Sequence, residues 1–139
     1  MSDIFLSIII PAHNEEERLP PSLALVNEFV HQQPYSIEVI IVENGSQDRT
    51  LAVAQAFQSK MTSLRVIQET QKGTRLAVRS GMPAARGEYR LFCDADFSMP
   101  VNEISKFIPE DGQIYDIAIG SRELPESERV DEPEFRHLI

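Results

Sequence analysis

Two carboxylates stand at the end of an apolar run near the middle of the chain. Asp94 and Asp96 follow residues 91–93, which read as a buried strand of a parallel sheet. Residues two apart along an extended chain point to the same side, so both carboxylates can face one hard cation. Mg²⁺ or Mn²⁺ would then take its remaining ligands from water and from phosphate oxygens of a substrate. The pair predicts metal-assisted chemistry on a phosphate compound, although taken alone such a pair is more often a strand end followed by a helix cap.

Two further polar loops follow apolar, β-branched runs in the same way. Residues 11–16 come after the run 4–10, and residues 43–48 come after the run 35–42. The carboxyl ends of parallel strands meet at one edge of a sheet, where nucleotides bind in α/β proteins. We therefore expect both loops to converge with residues 94–98 on a single crevice.

The hydrophobic pattern alternates between strand and helix periodicity along most of the chain. It predicts strands at residues 4–10, 35–42, 64–67, 88–93 and 116–119. Helices are predicted from residue 20 or 21, after a cap at Ser46 or Asp48, over 72–86 and over 101–108. This order predicts an α/β fold with a mostly parallel sheet flanked by helices.

Composition argues against several function classes. The chain has 13 basic and 22 acidic residues, a net charge of −9 that argues against a nucleic-acid partner. Its single cysteine, Cys93, cannot form an internal disulfide and reads as a small core residue in a reducing compartment. Neither a basic leader nor an apolar run of about 18 residues is present, so we expect a cytoplasmic protein.

The three loops together resemble the signatures of family 2 glycosyltransferases, which have the GT-A fold and use nucleotide-diphosphate sugars. The resemblance is carried by Pro11-Ala12-His13-Asn14-Glu15, Val42-Glu43-Asn44-Gly45-Ser46-Gln47-Asp48 and Asp94-Ala95-Asp96. Residues 81–89 and Ile119-Gly120-Ser121-Arg122 are similar to the branch that transfers glucose or mannose to dolichyl or polyprenyl phosphate. The match in order and spacing covers nearly the whole chain.

The resemblance implies a role for each motif in binding a UDP- or GDP-sugar. Asp96 and Asp94 would ligate the metal, and the catalytic set would be Asp94, Asp96 and Arg122, with Arg122 near the phosphates. The nucleotide would be bound by Pro11, His13, Glu15, Glu43, Asn44, Lys72, Gly73, Arg75, Arg79 and Asp94. Within that set, Pro11, His13 and Glu15 would line the base and ribose, and Glu43 and Asn44 would contact the base.

Several of these assignments have alternatives. Arg79 fits a solvated helix position equally well, Glu43 fits a solvent-facing turn, and Asn14-Glu15 fits a cap of the first helix. The family often has an acidic residue where this chain has Asn44, which leaves the choice between UDP and GDP open.

Residues 1–122 are predicted to form the nucleotide-sugar-binding domain, and residues 123–139 an acidic, mobile tail. From Glu123 to Glu134 there are six acidic residues against one arginine. Members of the family continue well beyond this length, so we interpret the chain as a donor-binding half that is truncated on the acceptor side. We expect it to bind donor, to self-associate through uncovered apolar surface, and to transfer sugar slowly or not at all.

Three hypotheses follow. The favoured one is metal-dependent transfer of a hexose to a polyprenyl phosphate, with peripheral binding at the inner membrane face. The acceptor phosphate monoester needs no base, because its second pKa is about 6 and it is already an anion near neutrality. The alternative is a non-catalytic nucleotide-sugar-binding module or an inactive donor-half fragment. A nucleotidyltransferase would instead show a Gly-rich, basic loop after its first strand, unlike residues 11–15.

Overall fold

Four parallel strands form one sheet in this computed structural model, which describes residues 3–110, 115–121 and 124–128. The strands are β1 (Leu6–Ala12), β2 (Ile37–Glu43), β3 (Leu64–Gln68) and β4 (Tyr89–Phe92), and they lie in the order β3-β2-β1-β4. β1 pairs with both β2 and β4, which places it at the centre together with β2. The prediction of a parallel α/β sheet is confirmed.

Three α-helices connect these strands, and a 3₁₀ helix follows the last one. Their bounds are α1 Leu19–Gln32, α2 Thr50–Gln58, α3 Thr74–Ala84 and the 3₁₀ helix Val101–Phe107. α1 carries Pro20 and Pro21 in its first turn, where a missing N–H costs no helical hydrogen bond. The last helix was predicted over 101–108 and forms with 3₁₀ rather than α geometry.

The core lies around the two central strands. Ile8, Ile9, Ile40 and Ile41 are fully buried, as expected for strands covered on both faces. α3 approaches this sheet closely through Gly81. A Cβ there would lie 2.5 Å from Ile9 Cγ2, well inside van der Waals contact. Glycine at this position therefore sets how closely α3 packs on the sheet.

A polar cluster, which we call the amino-end cluster, lies where the strands begin. It consists of Ser7, Glu38, Arg65, Arg86 and Gly87. The Ser7 hydroxyl donates to Glu38 Oε1 over 2.7 Å and accepts from the Gly87 N–H over 2.8 Å. The Arg86 N–H donates to the same carboxylate over 2.6 Å, and both guanidinium groups approach it to 3.2 Å. One carboxylate thus joins three strands to the segment between α3 and β4.

The Glu38 carboxylate is ionised in this setting although it is only 3% exposed. Burial raises the pKa of this group. The hydrogen bonds from the Arg86 backbone and from Ser7, together with the charges of Arg65 and Arg86, lower it by more, so the pKa lies below the ordinary glutamate value. The amino-end cluster therefore contains a buried charged carboxylate whose partners come from neighbouring strands and from the segment before β4.

The predicted fifth strand at residues 116–119 is wrong. Residues 115–121 are irregular, and the side chains of Ile117 and Ile119 are 79% and 82% exposed. A β-branched sequence favours a strand mainly because it packs against neighbouring strands and is half buried. These exposed side chains have neither advantage, so propensity alone does not make a strand here.

The chain divides into two units, Met1–Ile104 and Ser105–Ile139. The first holds the whole sheet and α1 to α3. In the second, the described residues include a turn in which the Ser127 N–H donates to the Leu124 carbonyl over 3.0 Å. The predicted boundary at residue 122 and the predicted mobile tail stay predictions. Among the described helices, none has the length and apolar character needed to cross a membrane.

Candidate functional site

A cleft of about 310 Å³ opens at the carboxyl edge of the sheet. Its lining includes the predicted site residues Pro11, His13, Glu15, Asn44, Lys72, Gly73, Asp94 and Asp96. The residues come from the loops after all four strands, so the predicted convergence of these loops is found in the structure.

The loops after β1 and β2 are joined by reciprocal hydrogen bonds. The Asn14 N–H donates to Ser46 Oγ over 3.0 Å, and the Gln47 N–H donates back to Asn14 Oδ1 over 2.8 Å. Asn14 has φ of 52°, a left-handed conformation that asparagine tolerates better than most residues. The Glu15 N–H donates to Thr50 Oγ1 over 2.8 Å. These contacts fix the wall of the cleft that carries His13 and Glu15.

Asp48 organises the start of α2. Its Oδ1 accepts from the Thr50 N–H over 2.9 Å, and its Oδ2 accepts from the Glu16 N–H over 3.3 Å. The hydrogen bond from the Thr50 hydroxyl lowers the pKa of Asp48, which keeps this carboxylate ionised as an acceptor. The predicted capping residue therefore also ties the loop after β1 to α2.

The His13 ring is held in one tautomer by its neighbours. Nδ1 lies 2.8 Å from the Asn44 carbonyl oxygen, which can only accept, so Nδ1 carries the proton. Nε2 lies 3.3 Å from the Asn14 side-chain amide nitrogen and accepts from it. This arrangement suits a neutral imidazole that is oriented by the protein at the edge of the cleft.

Asn44 joins the loop after β2 to the loop after β3. Its Nδ2 donates to the Gln71 carbonyl over 2.8 Å, and its Oδ1 accepts from the Gly73 N–H over 2.7 Å. Gly73 has φ of 129°, a conformation that L-residues avoid. The expected base contact by Asn44 thus competes with two hydrogen bonds that its side chain already makes.

Glu43 departs from its predicted place in a polar turn. It is the last residue of β2 and is only 5% exposed. Its Oε1 accepts from the Ser46 N–H over 2.6 Å, so the carboxylate turns back to satisfy the backbone of the turn that follows. The alternative of a solvent-facing turn residue is wrong for Glu43.

The two aspartates are presented by a short anchored turn. Ala95, between them, is 4% exposed, and its carbonyl accepts from the Ser22 hydroxyl of α1 over 2.7 Å. Asp94 and Asp96 are exposed on the other side of the chain and line the cleft. Asp96 Oδ1 also accepts from the N–H of Ser98 over 3.1 Å and from its hydroxyl over 2.8 Å. Ser22 was missed by sequence reasoning, because nothing in a helical serine signals a contact 73 residues away.

Cys93 precedes this turn and does not belong to its chemistry. It is 8% exposed, and its N–H donates to the Ile9 carbonyl over 3.1 Å. Burial, with a smaller contribution from the Asp94 charge, raises the pKa of the Cys93 thiol to about 12. The prediction of a small core residue agrees with this burial.

Asp94 and Asp96 fit a cation that shares its ligands with a substrate. Within residues 3–110, 115–121 and 124–128, no group of three or more His, Cys, Asp and Glu side chains is arranged to hold a metal. Two exposed carboxylates supply hard oxygen ligands but cannot fill six positions. They suit Mg²⁺ or Mn²⁺ that is also bound by a diphosphate, and they do not suit a fully protein-bound ion.

The remaining predicted residues lie elsewhere. Arg75 and Arg79 are exposed and stand four residues apart on α3, which puts them on one helix face. Arg122 lies outside the described residues.

Comparison with known proteins gives matches over nearly the whole chain. The family profile for glycosyl transferase family 2 matches residues 7–137. A dolichyl-phosphate beta-glucosyltransferase of Drosophila melanogaster is 37% identical over 96% of this chain and 45% of its own length. A dolichol-phosphate mannosyltransferase of Pyrococcus furiosus is 35% identical over 96% of this chain and 38% of its own length. The chain thus spans less than half the length of these relatives.

The fold is also found among solved structures. The mannosyltransferase PcManGT from Pyrobaculum calidifontis, in complex with GDP-Man and Mn²⁺, superposes with a TM-score of 0.58. It is 23% identical, and the match covers 69% of this chain and 31% of that protein. At this level of identity the likeness concerns the fold.

Proposed function

This chain belongs to glycosyl transferase family 2, and we propose from that premise that it binds a nucleotide-diphosphate sugar for transfer of the hexose to a polyprenyl phosphate. The GT-A fold expected from the sequence is confirmed by the parallel sheet and by its likeness to solved glycosyltransferases. The donor, the acceptor and the metal are parts of the proposal.

One observation carries the proposal. The exposed carboxylates of Asp94 and Asp96 line the same cleft as His13, Asn44 and Lys72. A nucleotide diphosphate requires a surface for its base, cations near its phosphates and acidic ligands for a metal. All three kinds of group meet at the sheet edge where nucleotides bind in α/β proteins.

The wall formed by the loops after β1 and β2 would receive the base and ribose. Pro11 offers an apolar surface, and the oriented His13 ring and the half-buried Glu15 offer hydrogen-bonding groups. Glu43 would act from behind this wall, since its buried carboxylate fixes the turn at Ser46. Its contribution to base binding is therefore proposed to be indirect.

The neighbouring loop after β3 would receive the phosphates. Lys72 and Gly73 lie at the start of α3, where a cation and backbone N–H groups favour anions. Arg75 and Arg79 extend this positive surface along α3, and Arg122 is proposed to complete it from the acceptor side. The described lining of the cleft then combines hydrogen-bonding, basic and acidic groups, the three kinds of group that a nucleotide-diphosphate sugar needs.

Asp94 and Asp96 would hold Mg²⁺ or Mn²⁺ together with the diphosphate. A bound divalent cation supplies neutralisation of the charge that develops on the leaving diphosphate. The chain's own part is to present the two carboxylates on a turn that Ser22 anchors through the Ala95 carbonyl. That anchor keeps both carboxylates directed to the cleft.

A polyprenyl phosphate is proposed as the acceptor because two relatives are named for transfer to dolichyl phosphate. An ionised phosphate monoester attacks without losing a proton to the protein. Such an acceptor therefore does not need a general base from the cleft.

A second candidate function is nucleotide-sugar binding without transfer. Among the described residues, those that line the cleft lie between 11 and 96 and are the ones proposed to bind the donor. Positioning of donor against acceptor accounts for roughly 7–11 kcal/mol of a barrier, which a donor site by itself does not supply. In this case the protein would bind the nucleotide sugar and would not catalyse transfer.

Calorimetric titration of UDP, GDP and their glucose and mannose conjugates, in Mn²⁺ and in EDTA, tests the binding proposal. We expect binding of one nucleotide series in Mn²⁺, and loss of it in EDTA and in Asp96→Asn. Asp116→Asn, which removes the same charge at an exposed position of the second unit, is the matched control. Equal affinity in EDTA and Mn²⁺ would contradict the metal role.

Transfer is tested separately with radiolabelled donor and a short polyprenyl phosphate. Repeated turnover by the 139-residue chain supports the transferase, and donor binding without product supports the binding module.

A further inference from the structure

The side-chain amide of Asn44 is engaged on both sides of Lys72. Its Nδ2 donates to the Gln71 carbonyl over 2.8 Å, and its Oδ1 accepts from the Gly73 N–H over 2.7 Å. A side-chain amide has a donor and an acceptor in one plane, so it mimics the peptide unit of a neighbouring strand. Asn44 is only 3% exposed, which shields both hydrogen bonds from competing water.

We propose that Asn44 is a positioning residue, which sets the place of Lys72 for the phosphates of the nucleotide and does not read the base. This inference rests on the proposed function, because it takes a nucleotide diphosphate as the ligand of the cleft. Reading a base would require the amide to give up a hydrogen bond to Gln71 or Gly73, and the freed backbone group would then be left unsatisfied.

The backbone of Asn44 extends the same connection to the loop after β1. Its N–H donates to the Ala12 carbonyl over 2.9 Å, and its carbonyl accepts from His13 Nδ1 over 2.8 Å. One buried residue therefore joins the wall that would receive the base to the loop that would receive the phosphates. The separation of these two regions depends on Asn44.

The start of α3 depends on the same contact. Gly73 adopts a φ of 129°, and its carbonyl accepts from the N–H groups of Leu76 and Ala77 over 3.0 and 3.1 Å. The hydrogen bond from the Gly73 N–H to Asn44 stabilises this conformation. Without it, both Lys72 and the first turn of α3 lose their fixed position.

Four variants separate positioning from base reading: Asn44→Ala, Lys72→Ala, the double variant, and Asn102→Asp as an exposed control. Binding of UDP and GDP is measured by calorimetry. Two lost hydrogen bonds predict about ten-fold weaker binding of both nucleotides in Asn44→Ala, with their ratio unchanged. In the Lys72→Ala background the same change should weaken binding less than about two-fold, because Asn44 acts through Lys72.

Asn44→Asp provides a further measurement, the pH dependence of nucleotide affinity, which a merely structural role of Asn44 would not change. An ionised carboxylate cannot donate to the Gln71 carbonyl, whereas a protonated one can. We expect its deficit relative to wild type to shrink as the pH falls from 7 to 5, while Asn102→Asp tracks wild type throughout. A deficit that is constant with pH would show that the donor to Gln71 has no part in binding.

Two results would overturn the inference. One is a change of more than about three-fold in the ratio of UDP to GDP affinity, and the other is full additivity of the two alanine substitutions. If wild type binds no nucleotide at all, the proposed function fails. The positioning role is then decided by amide hydrogen exchange at Gly73, which should be faster in Asn44→Ala than in wild type. Unchanged exchange at Gly73 would refute it.

Discussion

The two ends of the same parallel sheet both carry polar side chains, and they use them differently. At the amino end, the Glu38 carboxylate is buried and receives its partners from Ser7, Arg65 and Arg86. At the carboxyl end, the carboxylates of Asp94 and Asp96 are exposed at a cleft. Both ends contain acids beside basic residues, so composition does not distinguish them.

The difference lies in where each carboxylate finds its partners. The Glu38 carboxylate accepts hydrogen bonds and ion pairs from other residues of the protein. Its burial is tolerated because these partners surround it. Asp94 and Asp96 stay in contact with solvent, on a turn that is fixed through Ala95 between them. A buried acid with several partners indicates a structural role, and a pair of solvent-facing acids on an anchored turn indicates binding.

The largest effect on stability is expected in the amino-end cluster. Glu38→Ala should lower the free energy of unfolding by about 3 kcal/mol, because it leaves two arginines and two N–H or O–H donors without their shared acceptor. Urea denaturation monitored by circular dichroism measures this loss. Binding of nucleotide by the remaining folded protein should be nearly unchanged. A stability loss below that of an ordinary surface substitution would mean that the amino-end cluster does not hold the sheet together.

A smaller effect appears on acidification. The folded pKa of Glu38 lies below its ordinary value of 4.5, so its contribution is fully present above that value and is lost as the pH falls through the folded pKa. Wild type should therefore lose more stability between pH 6 and pH 3 than Glu38→Gln does. Parallel unfolding curves of the two proteins over this range would contradict the assigned ionisation.

The smallest effect on stability is expected at the carboxyl edge of the sheet, where Asp96 lines the cleft. Asp96→Asn keeps an oxygen to accept from Ser98 and changes an exposed position, so the free energy of unfolding should move by no more than about 0.5 kcal/mol. The same variant should lose metal-dependent nucleotide binding. A large fall in melting temperature would place Asp96 with Glu38 as a structural acid and remove the contrast between the two ends.

Much of the fold can be predicted from local sequence. β-branched runs stopped by polar residues locate β1 to β4 within a few residues, and the loops after them locate the cleft. Local sequence fails where a role depends on distant partners. Asn44 contacts Gln71 and Gly73, which lie 27 and 29 residues away. No pattern around Asn44 distinguishes a residue that binds these backbone groups from one that binds a base.

The amino-end cluster left a weaker signal that sequence reasoning passed over. Glu38 is the one charged residue before the terminal Glu43 in the otherwise apolar strand β2, and Ser7 is the single polar residue before Pro11 in β1. The register pairs them directly. The failed strand at residues 116–119 shows the converse, since its pattern was favourable but its side chains are exposed. Burial, which single-sequence patterns do not report, decides both cases.

The state of Cys93 has a practical consequence for studying this molecule in solution. Burial raises the pKa of its thiol to about 12, which disfavours the thiolate that reacts with maleimide reagents. Because this buried thiol is the only one in the chain, we expect the wild-type protein to react slowly with maleimide reagents. A fluorophore or spin label could therefore be attached to a single introduced cysteine on the rim of the cleft without first replacing Cys93, and loop movements could be followed in an otherwise natural sequence.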